Sequence, residues 1–298
     1  MKNFCGLVSI VGRPNVGKST LLNRLLEQKI SITSRKSQTT RNNILGIKTK
    51  GNHQMVFIDT PGVHINASKV MNKVLNQTAI GAIEDADLII FMLQRNKINT
   101  LDELILERLK ATQTKKICVI NKVDQVESIN SLLPVIEKLR SENEFAEIIP
   151  ISAKTGKNIN ELENMICENL PENNHLYDSN TKFLAKESFM ISEIIREKII
   201  RFLGQELPHE TYVQLQKLED NEDIINIDAE IIVARDSQKG IVVGKNGAKL
   251  KKIGEKARID LEKFFNKKVF LKTWVKTKKN WNNDSDFISS LGIGSLYD

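Results

Sequence analysis

The chain has 298 residues, 40% hydrophobic and 27% charged, with a formal net charge of +7. That balance excludes wholesale disorder and allows two ordinary domains, each with its own core. No apolar run reaches membrane-spanning length, and Met1-Lys2-Asn3-Phe4-Cys5 is too short and polar for a signal peptide, so a cytoplasmic location is expected. Cys5, Cys118 and Cys167 stand singly on apolar segments, which predicts reduced packing residues and neither disulfide nor zinc. The charge is uneven: Ser237 to Asn282 holds 14 Lys and Arg against 3 Asp and Glu, while the remaining chain holds 30 against 34. A basic block of that density points to a polyanionic partner.

Leu7 to Val11 reads as a buried strand, and Thr20 to Leu26 as a helix with Leu21, Leu22, Leu25 and Leu26 at helical spacing. Between them Gly12-Arg13-Pro14-Asn15-Val16-Gly17-Lys18-Ser19 fits G-x-x-x-x-G-K-[ST], the loop that wraps nucleotide phosphates. The glycines let successive N–H groups point at phosphate oxygens, and the helix aims its positive dipole end at them. Lys18 would reach the β and γ phosphates, Ser19 would be a magnesium ligand, and Thr20 closes the nucleotide-binding run. Next come Ile30 to Thr33 and the polar stretch Ser34 to Arg41, expected as a mobile loop whose Thr40, rather than Thr39, closes on magnesium.

Ile44 to Lys50 and Gln54 to Ile58 read as strands joined at Gly51-Asn52, the second leading into Asp59-Thr60-Pro61-Gly62, a D-x-x-G sequence. Asp59 would hold magnesium through water, and the Gly62 N–H would meet the γ-phosphate, so Lys18, Thr40, Asp59 and Gly62 form the expected catalytic set. Val63 follows where Ras-type enzymes carry a water-orienting glutamine, which predicts slow intrinsic hydrolysis. His64 is a candidate base, although a lone histidine in such a loop is more often a surface residue.

Val70 to Ile83 has helical spacing, and Leu88 to Leu93 is apolar enough for a central strand buried on both faces. Leu101 to Lys110 and Ser131 to Arg140 read as helices, flanking a strand from Ile117 to Ile120 that ends in Asn121-Lys122-Val123-Asp124. That N-K-x-D sequence selects guanine, because the Asp124 carboxylate can accept from both its ring N–H and its amino group; adenine would leave the charge unpaired. Ile148 to Ile151 is a last strand before Ser152-Ala153-Lys154, whose Ala153 N–H fits the guanine carbonyl, and Asn158 to Leu170 is a closing helix. Alternating strands and helices put all these motifs on loops at one sheet edge.

Pro171-Glu172-Asn173-Asn174-His175 breaks the pattern and marks the domain boundary. Beyond it, Phe183 to Phe202 is an amphipathic helix, Thr211 to Gln216 and Ile225 to Ala234 are strands, Ser237 to Val243 and Ala248 to Phe265 are helices, and Val269 to Val275 is a strand. Gly244-Lys245-Asn246-Gly247 joins the last two helices. A G-x-x-G turn placed there, with Lys249, Lys251 and Lys252 after it, matches the K-homology nucleic-acid module, in which the glycines admit a sugar-phosphate backbone and the adjacent groove holds unpaired bases. The expected RNA contacts are Lys239, Gly244, Lys245, Asn246, Gly247, Lys249, Lys252, Lys276 and Lys279, with Trp274 and Trp281 as stacking platforms.

The expected fold is thus α/β: a P-loop GTPase domain with a mainly parallel sheet over residues 1–172, a linker over 173–181, and a smaller α+β K-homology domain of type II with a basic tail over 182–298. The chain resembles the Era family of bacterial GTPases in Gly12 to Ser19, Gln38 to Asn42, Asp59 to Gly62, Asn121 to Asp124, Ile151 to Ala153, Asp236 to Gly240 leading into Gly244 to Gly247, and Trp274 to Trp281. The resemblance implies a monomer that hydrolyses GTP with magnesium and acts in assembly of the small ribosomal subunit by gripping the 3′ end of its 16S ribosomal RNA. It makes Asn15 a candidate ligand for a potassium ion, and it leaves open peripheral attachment to the cytoplasmic face of the membrane. The alternatives are another RNA-binding ribosome-assembly GTPase, or an RNA-binding scaffold that uses GTP only as a switch. One departure is Leu93-Gln94-Arg95-Asn96, where an acidic residue is expected after the central strand.

Overall fold

A computed structural model describes residues 2–28, 30, 44–59, 70–203 and 210–291. The Thr39–Thr40 loop and the segment from Thr60 through Gly62 to His64 lie outside the described residues. The first body is built on strands β1 (Phe4–Val11), β2 (Ile44–Lys50), β3 (His53–Asp59), β4 (Leu88–Gln94), β5 (Lys115–Asn121) and β6 (Glu147–Pro150). They are ordered β6-β5-β4-β1-β3-β2, all parallel except β2, which runs antiparallel to β3. β4 is central because it has no polar side chain to expose until Gln94. Its Leu88, Ile90 and Met92 enter one core cluster with helices α1 (Lys18–Leu25) and α5 (Ile159–Asn169). Its Ile89, Phe91 and Leu93 enter the other, which is packed by α3 (Thr100–Lys110), α4 (Leu133–Glu142) and the end of α2 (Val70–Glu84). Each such side chain taken out of water contributes about 1.5–3 kcal/mol, and the two-sided sheet fixes the C-terminal end of each parallel strand, where the motif sequences start, along one edge.

The second body follows the expected order: α6 (Glu187–Phe202), β8 (Thr211–Asp220), β9 (Ile224–Val233), α7 (Asp236–Val243), α8 (Ala248–Phe265) and β10 (Lys268–Thr277). β9 is central, antiparallel to β8 and parallel to β10. Ile191, Ile195 and Ile199 of α6 and Ile253, Ala257 and Leu261 of α8 pack on Ile225, Ile227, Ala229 and Ile231 of β9. This mixed sheet with helices on one face is the type II K-homology arrangement.

Two departures from the sequence reading concern the join. The helix expected from Phe183 begins at Glu187, and Phe183–Leu184 instead forms a short strand, β7, antiparallel to β2 at the edge of the first sheet. Residues 182–184 therefore belong with the first body, since the Lys182 carbonyl accepts from Ile47 N at 2.8 Å and Phe183 packs on the first core. The segment ahead of β7 is a strap, held by the fully buried Gln54, whose Oε1 accepts from Leu176 N (2.8 Å) and Tyr177 N (3.0 Å) while its Nε2 donates to Tyr177 O (2.8 Å). A second seam joins α2 to the far end of the chain. Met71 and Leu75 pack with Ile232, Ala234, Trp281 and, from the short helix α9 (Ser285–Ser290) and the residue after it, Ile288 and Leu291.

Candidate nucleotide site and nucleic-acid interface

β1 ends at Val11, and Gly12 to Gly17 turns into α1. Gly17 has φ 113°, and a Cβ there would lie 2.3 Å from Asn121 Nδ2, so only glycine lets the loop pass under the N-K-x-D strand. Asn15 takes the left-handed region at φ 66° and is exposed, Pro14 is half-buried and Val16 fully buried. Lys18 is buried and its ammonium donates to Gly12 O (2.9 Å) and Arg13 O (3.3 Å). Burial pulls its pKa down to about 8, against the opposing pull of Asp59 and with the Arg13 cation adding to the decrease. Ser19 Oγ donates to Asp59 Oδ2 at 3.1 Å, so a hydroxyl and a carboxylate converge beside Lys18. Such hard oxygens suit magnesium. Thr20 follows on the first turn of α1.

Asn121 ties the phosphate loop to the base loops. Its Nδ2 donates to Val16 O (2.8 Å) and its Oδ1 accepts from Ala153 N (3.0 Å). Asp124 Oδ1 accepts from Ser152 Oγ at 2.6 Å. Lys122, at φ 66°, donates from Nζ to Asn15 O (2.6 Å) and Gln94 Oε1 (2.8 Å). Gln94 thus does with a neutral amide what an acidic residue would do with a charge, and burial together with Arg95 and Arg13 lowers the Lys122 pKa. The described residues of the nucleotide set, Gly12 to Thr20, Asp59, Asn121, Lys122, Asp124 and Ser152 to Lys154, therefore share one edge of the sheet.

Three supporting residues, Asn99, Asp102 and Arg24, escaped the sequence reading. Arg13 Nε donates at 3.1 Å to Asp102 Oδ2, and Asp102 is fully buried in the capping box that opens α3 with Asn99. Burial raises the Asp102 pKa while the Asn99 N–H and Arg13 oppose the rise. Arg24, on α1, donates to Ala153 O (3.2 Å) and Lys154 O (2.6 Å). None of these falls in a motif, although the Asn99-x-x-Asp102 spacing is a legible helix start.

In the second body Gly244 (φ 72°), Asn246 (φ 51°) and Gly247 (φ 77°) all lie at positive φ, forming a tight turn between α7 and α8. A Cβ on Gly244 would approach Lys249 Cγ to 2.8 Å, so Lys249 lies directly over the turn. Lys239, Lys245, Asn246, Lys249 and Lys252 are exposed, as are Lys276 and Lys279. Gln238 Oε1 accepts from Ala234 N and Arg235 N and so fixes the start of α7. The two tryptophans differ. Trp274 is half-buried and donates to Glu230 Oε1 (2.9 Å), with Lys272 over its ring. Trp281 is fully buried, donates to Glu210 O (3.1 Å) and packs on Tyr212 and Phe287. The expectation that Trp281 stacks RNA bases is corrected on that ground, since a ring covered on both faces has none to offer a base.

Fold and site together define a P-loop guanine-nucleotide domain joined to a K-homology domain. Residues 7–122 match the family model described as a 50S ribosome-binding GTPase, and residues 206–282 match the KH domain model. The chain is 47% identical to GTPase Era of Glaesserella parasuis serovar 5 (strain SH0165), over 98% of this chain and 97% of that protein. It is 45% identical to GTPase Era of Pseudomonas syringae pv. tomato, with the same coverage. A crystal structure of Era in complex with MgGDPNP and nucleotides 1506–1542 of 16S ribosomal RNA has a TM-score of 0.94 at 36% identity, covering 97% of this chain and 99% of that one. A variant of Aquifex aeolicus Era bound to GDP.AlF4- has a TM-score of 0.93 at 36% identity, covering 98% of this chain and 99% of that one. The chain belongs to the GTPase Era family.

Proposed function

We propose that this chain binds and hydrolyses GTP and holds the 3′ end of small-subunit ribosomal RNA, acting in assembly of that subunit. The observation that carries the guanine half is Asn121, which bonds the phosphate loop at Val16 and the base loop at Ala153 and so ties both to a strand end carrying Asp124. The RNA half is supported by the Gly244 to Gly247 turn with the exposed Lys239, Lys245, Asn246, Lys249 and Lys252, and by the 16S fragment held by the relative of near-identical fold. The large-subunit wording of the first family model attaches to residues 7–122 alone, a span without the RNA-binding body.

In this reading Ser19 and Thr40 hold magnesium directly and Asp59 holds it through water. The ion supplies charge neutralisation on the β and γ phosphates. Lys18 adds a buried cation there, Gly62 offers an N–H to the γ-phosphate, and Arg13, Pro14, Thr60 and Pro61 complete the enclosure. Lys122 and Lys154 flank the base. With Val63 unable to orient water, turnover is slow, and Asn15 holds a potassium ion against the phosphates. On the RNA side Lys276, Lys279 and the exposed part of Trp274 extend the groove. The chain divides into residues 1–172, a linker over 173–181 and an RNA-binding domain over 182–298, except that 182–184 pair with the first body. We place the protein in the cytoplasm as a monomer; no helix among the described residues is long and apolar enough to cross a membrane.

Asp124→Asn tests the guanine assignment. The amide presents a donor where the carboxylate accepts, so preference should move from GTP to xanthosine triphosphate, whose ring carries a carbonyl in place of the amino group. A variant that binds GTP as tightly as the parent refutes the assignment.

A further inference from the structure

We propose that Arg24 is a positioning residue for guanine recognition, setting the reach of the Ala153 N–H from the far side of the loop. The inference rests on the reading that this N–H meets the base carbonyl. α1 begins with Lys18 and Ser19 under the phosphate loop, and Arg24 lies on the same helix about 9 Å further along its axis. Its guanidinium donates from Nε to Ala153 O (3.2 Å) and from Nη2 to Lys154 O (2.6 Å), two successive carbonyls of the base loop. A planar fork of donors suits that pair, whereas a lysine ammonium would present a point charge at the end of a flexible stem.

Ala153 is therefore held on both of its peptide planes. On the N–H side Asn121 Oδ1 accepts at 3.0 Å, a bond this N–H must share with or yield to the base carbonyl when nucleotide binds, and on the C=O side Arg24 donates. The rest of the loop closes on itself through Ser152 N to Lys157 O (3.1 Å), Gly156 N to Ser152 O (2.8 Å) and Thr155 N to Ser152 Oγ (3.2 Å). Arg24 is the tie from outside the loop on the carbonyl side of Ala153, and it runs to the helix that carries the phosphate-binding residues. Asp124, by contrast, is fixed by Ser152 Oγ and makes no bond to Arg24 among the described residues. Loosening Arg24 should therefore weaken reading of the base carbonyl while leaving reading of the 2-amino group intact.

The test is competition of GDP, IDP and ADP against a fluorescent GDP analogue on the full chain, for the parent, Arg24→Ala and Arg24→Lys. IDP keeps the carbonyl and lacks the 2-amino group; ADP lacks the carbonyl. In Arg24→Ala, GDP and IDP affinities should fall together by about tenfold, the value of a charge-assisted pair of bonds. The GDP-to-IDP ratio should hold and the GDP-to-ADP ratio shrink by the same factor, with Arg24→Lys restoring part of it. Equal loss for all three nucleotides would mean that Arg24 serves only the fold or the phosphate grip, and overturns the proposal, as does an unchanged GDP-to-ADP ratio. A parent that binds ADP as tightly as GDP would overturn the underlying guanine reading and this inference with it.

Discussion

Lys18 is the residue on which the phosphate loop's electrostatics turn. Its ammonium sits on two backbone carbonyls in a buried site, and burial brings its pKa from 10.5 to about 8. At about 1.4 kcal/mol per unit, that shift means the charged form costs the folded chain about 3 kcal/mol. The sign follows from which state gives up the proton first. Below pH 8 folded and unfolded chains both carry the charge and the cost is constant. From 8 to 10.5 the folded chain releases the proton first and stability rises with pH. Phosphate binding needs the charged form, so its dependence is opposite: nucleotide affinity measured by calorimetry should be flat below pH 7 and fall about tenfold for each unit above 8. A flat profile to pH 9 would show that Lys18 keeps its ordinary pKa. Arg13 belongs to the same account, since Asp102 holds its cation beside the loop. Gln94 likewise secures Lys122 without a counter-charge, and Gln94→Glu would supply one.

At the scale of elements, the middle of the strap ahead of β7, at Leu176 and Tyr177, is bonded by a single side chain beneath it, Gln54. Gln54→Leu keeps the volume but removes the acceptor for Leu176 N and Tyr177 N and the donor to Tyr177 O. Backbone groups left partly unmade there should cost about 2–4 kcal/mol in urea unfolding, with faster amide exchange over residues 176–184. A loss below about 0.5 kcal/mol would place the strap's anchorage elsewhere. The strap also shows where sequence reading stops. Strands such as Leu88 to Leu93 were legible because an apolar run has one burial solution, and the motif loops because their residue types answer to phosphate and guanine chemistry. Pro171 to His175 read as a break, yet which surface the following residues would lie on depended on Gln54, more than a hundred residues earlier. Phe183–Leu184 looked helical because its apolar residues continue the spacing of Ile191 and Ile195, and β2's free edge claimed it instead.

Across the whole molecule, the two bodies meet through a shared apolar seam rather than a bare linker. Met71 and Leu75 on the helix that follows the Asp59 segment pack against Trp281, Ile288 and Leu291 at the other end of the chain. Periodicity exposed α2 and the tryptophan separately, but nothing in the pattern said that they touch, and Trp281 read as an exposed platform because it stands among lysines. In the proposed function its burial leaves base stacking to the half-buried Trp274, and the other RNA contacts to the Gly244 to Gly247 turn and the surrounding lysines. The most direct test of the account is ultraviolet crosslinking of the chain to RNA in growing cells, followed by sequencing of the attached fragments, with Lys245→Asp/Asn246→Asp as comparison. Two carboxylates in the turn would face phosphates with like charge. The account predicts that fragments from the parent concentrate on the 3′ end of the small-subunit ribosomal RNA and that the double variant loses them while still binding GTP. Fragments concentrated on large-subunit RNA, or an unchanged pattern in the double variant, would contradict it.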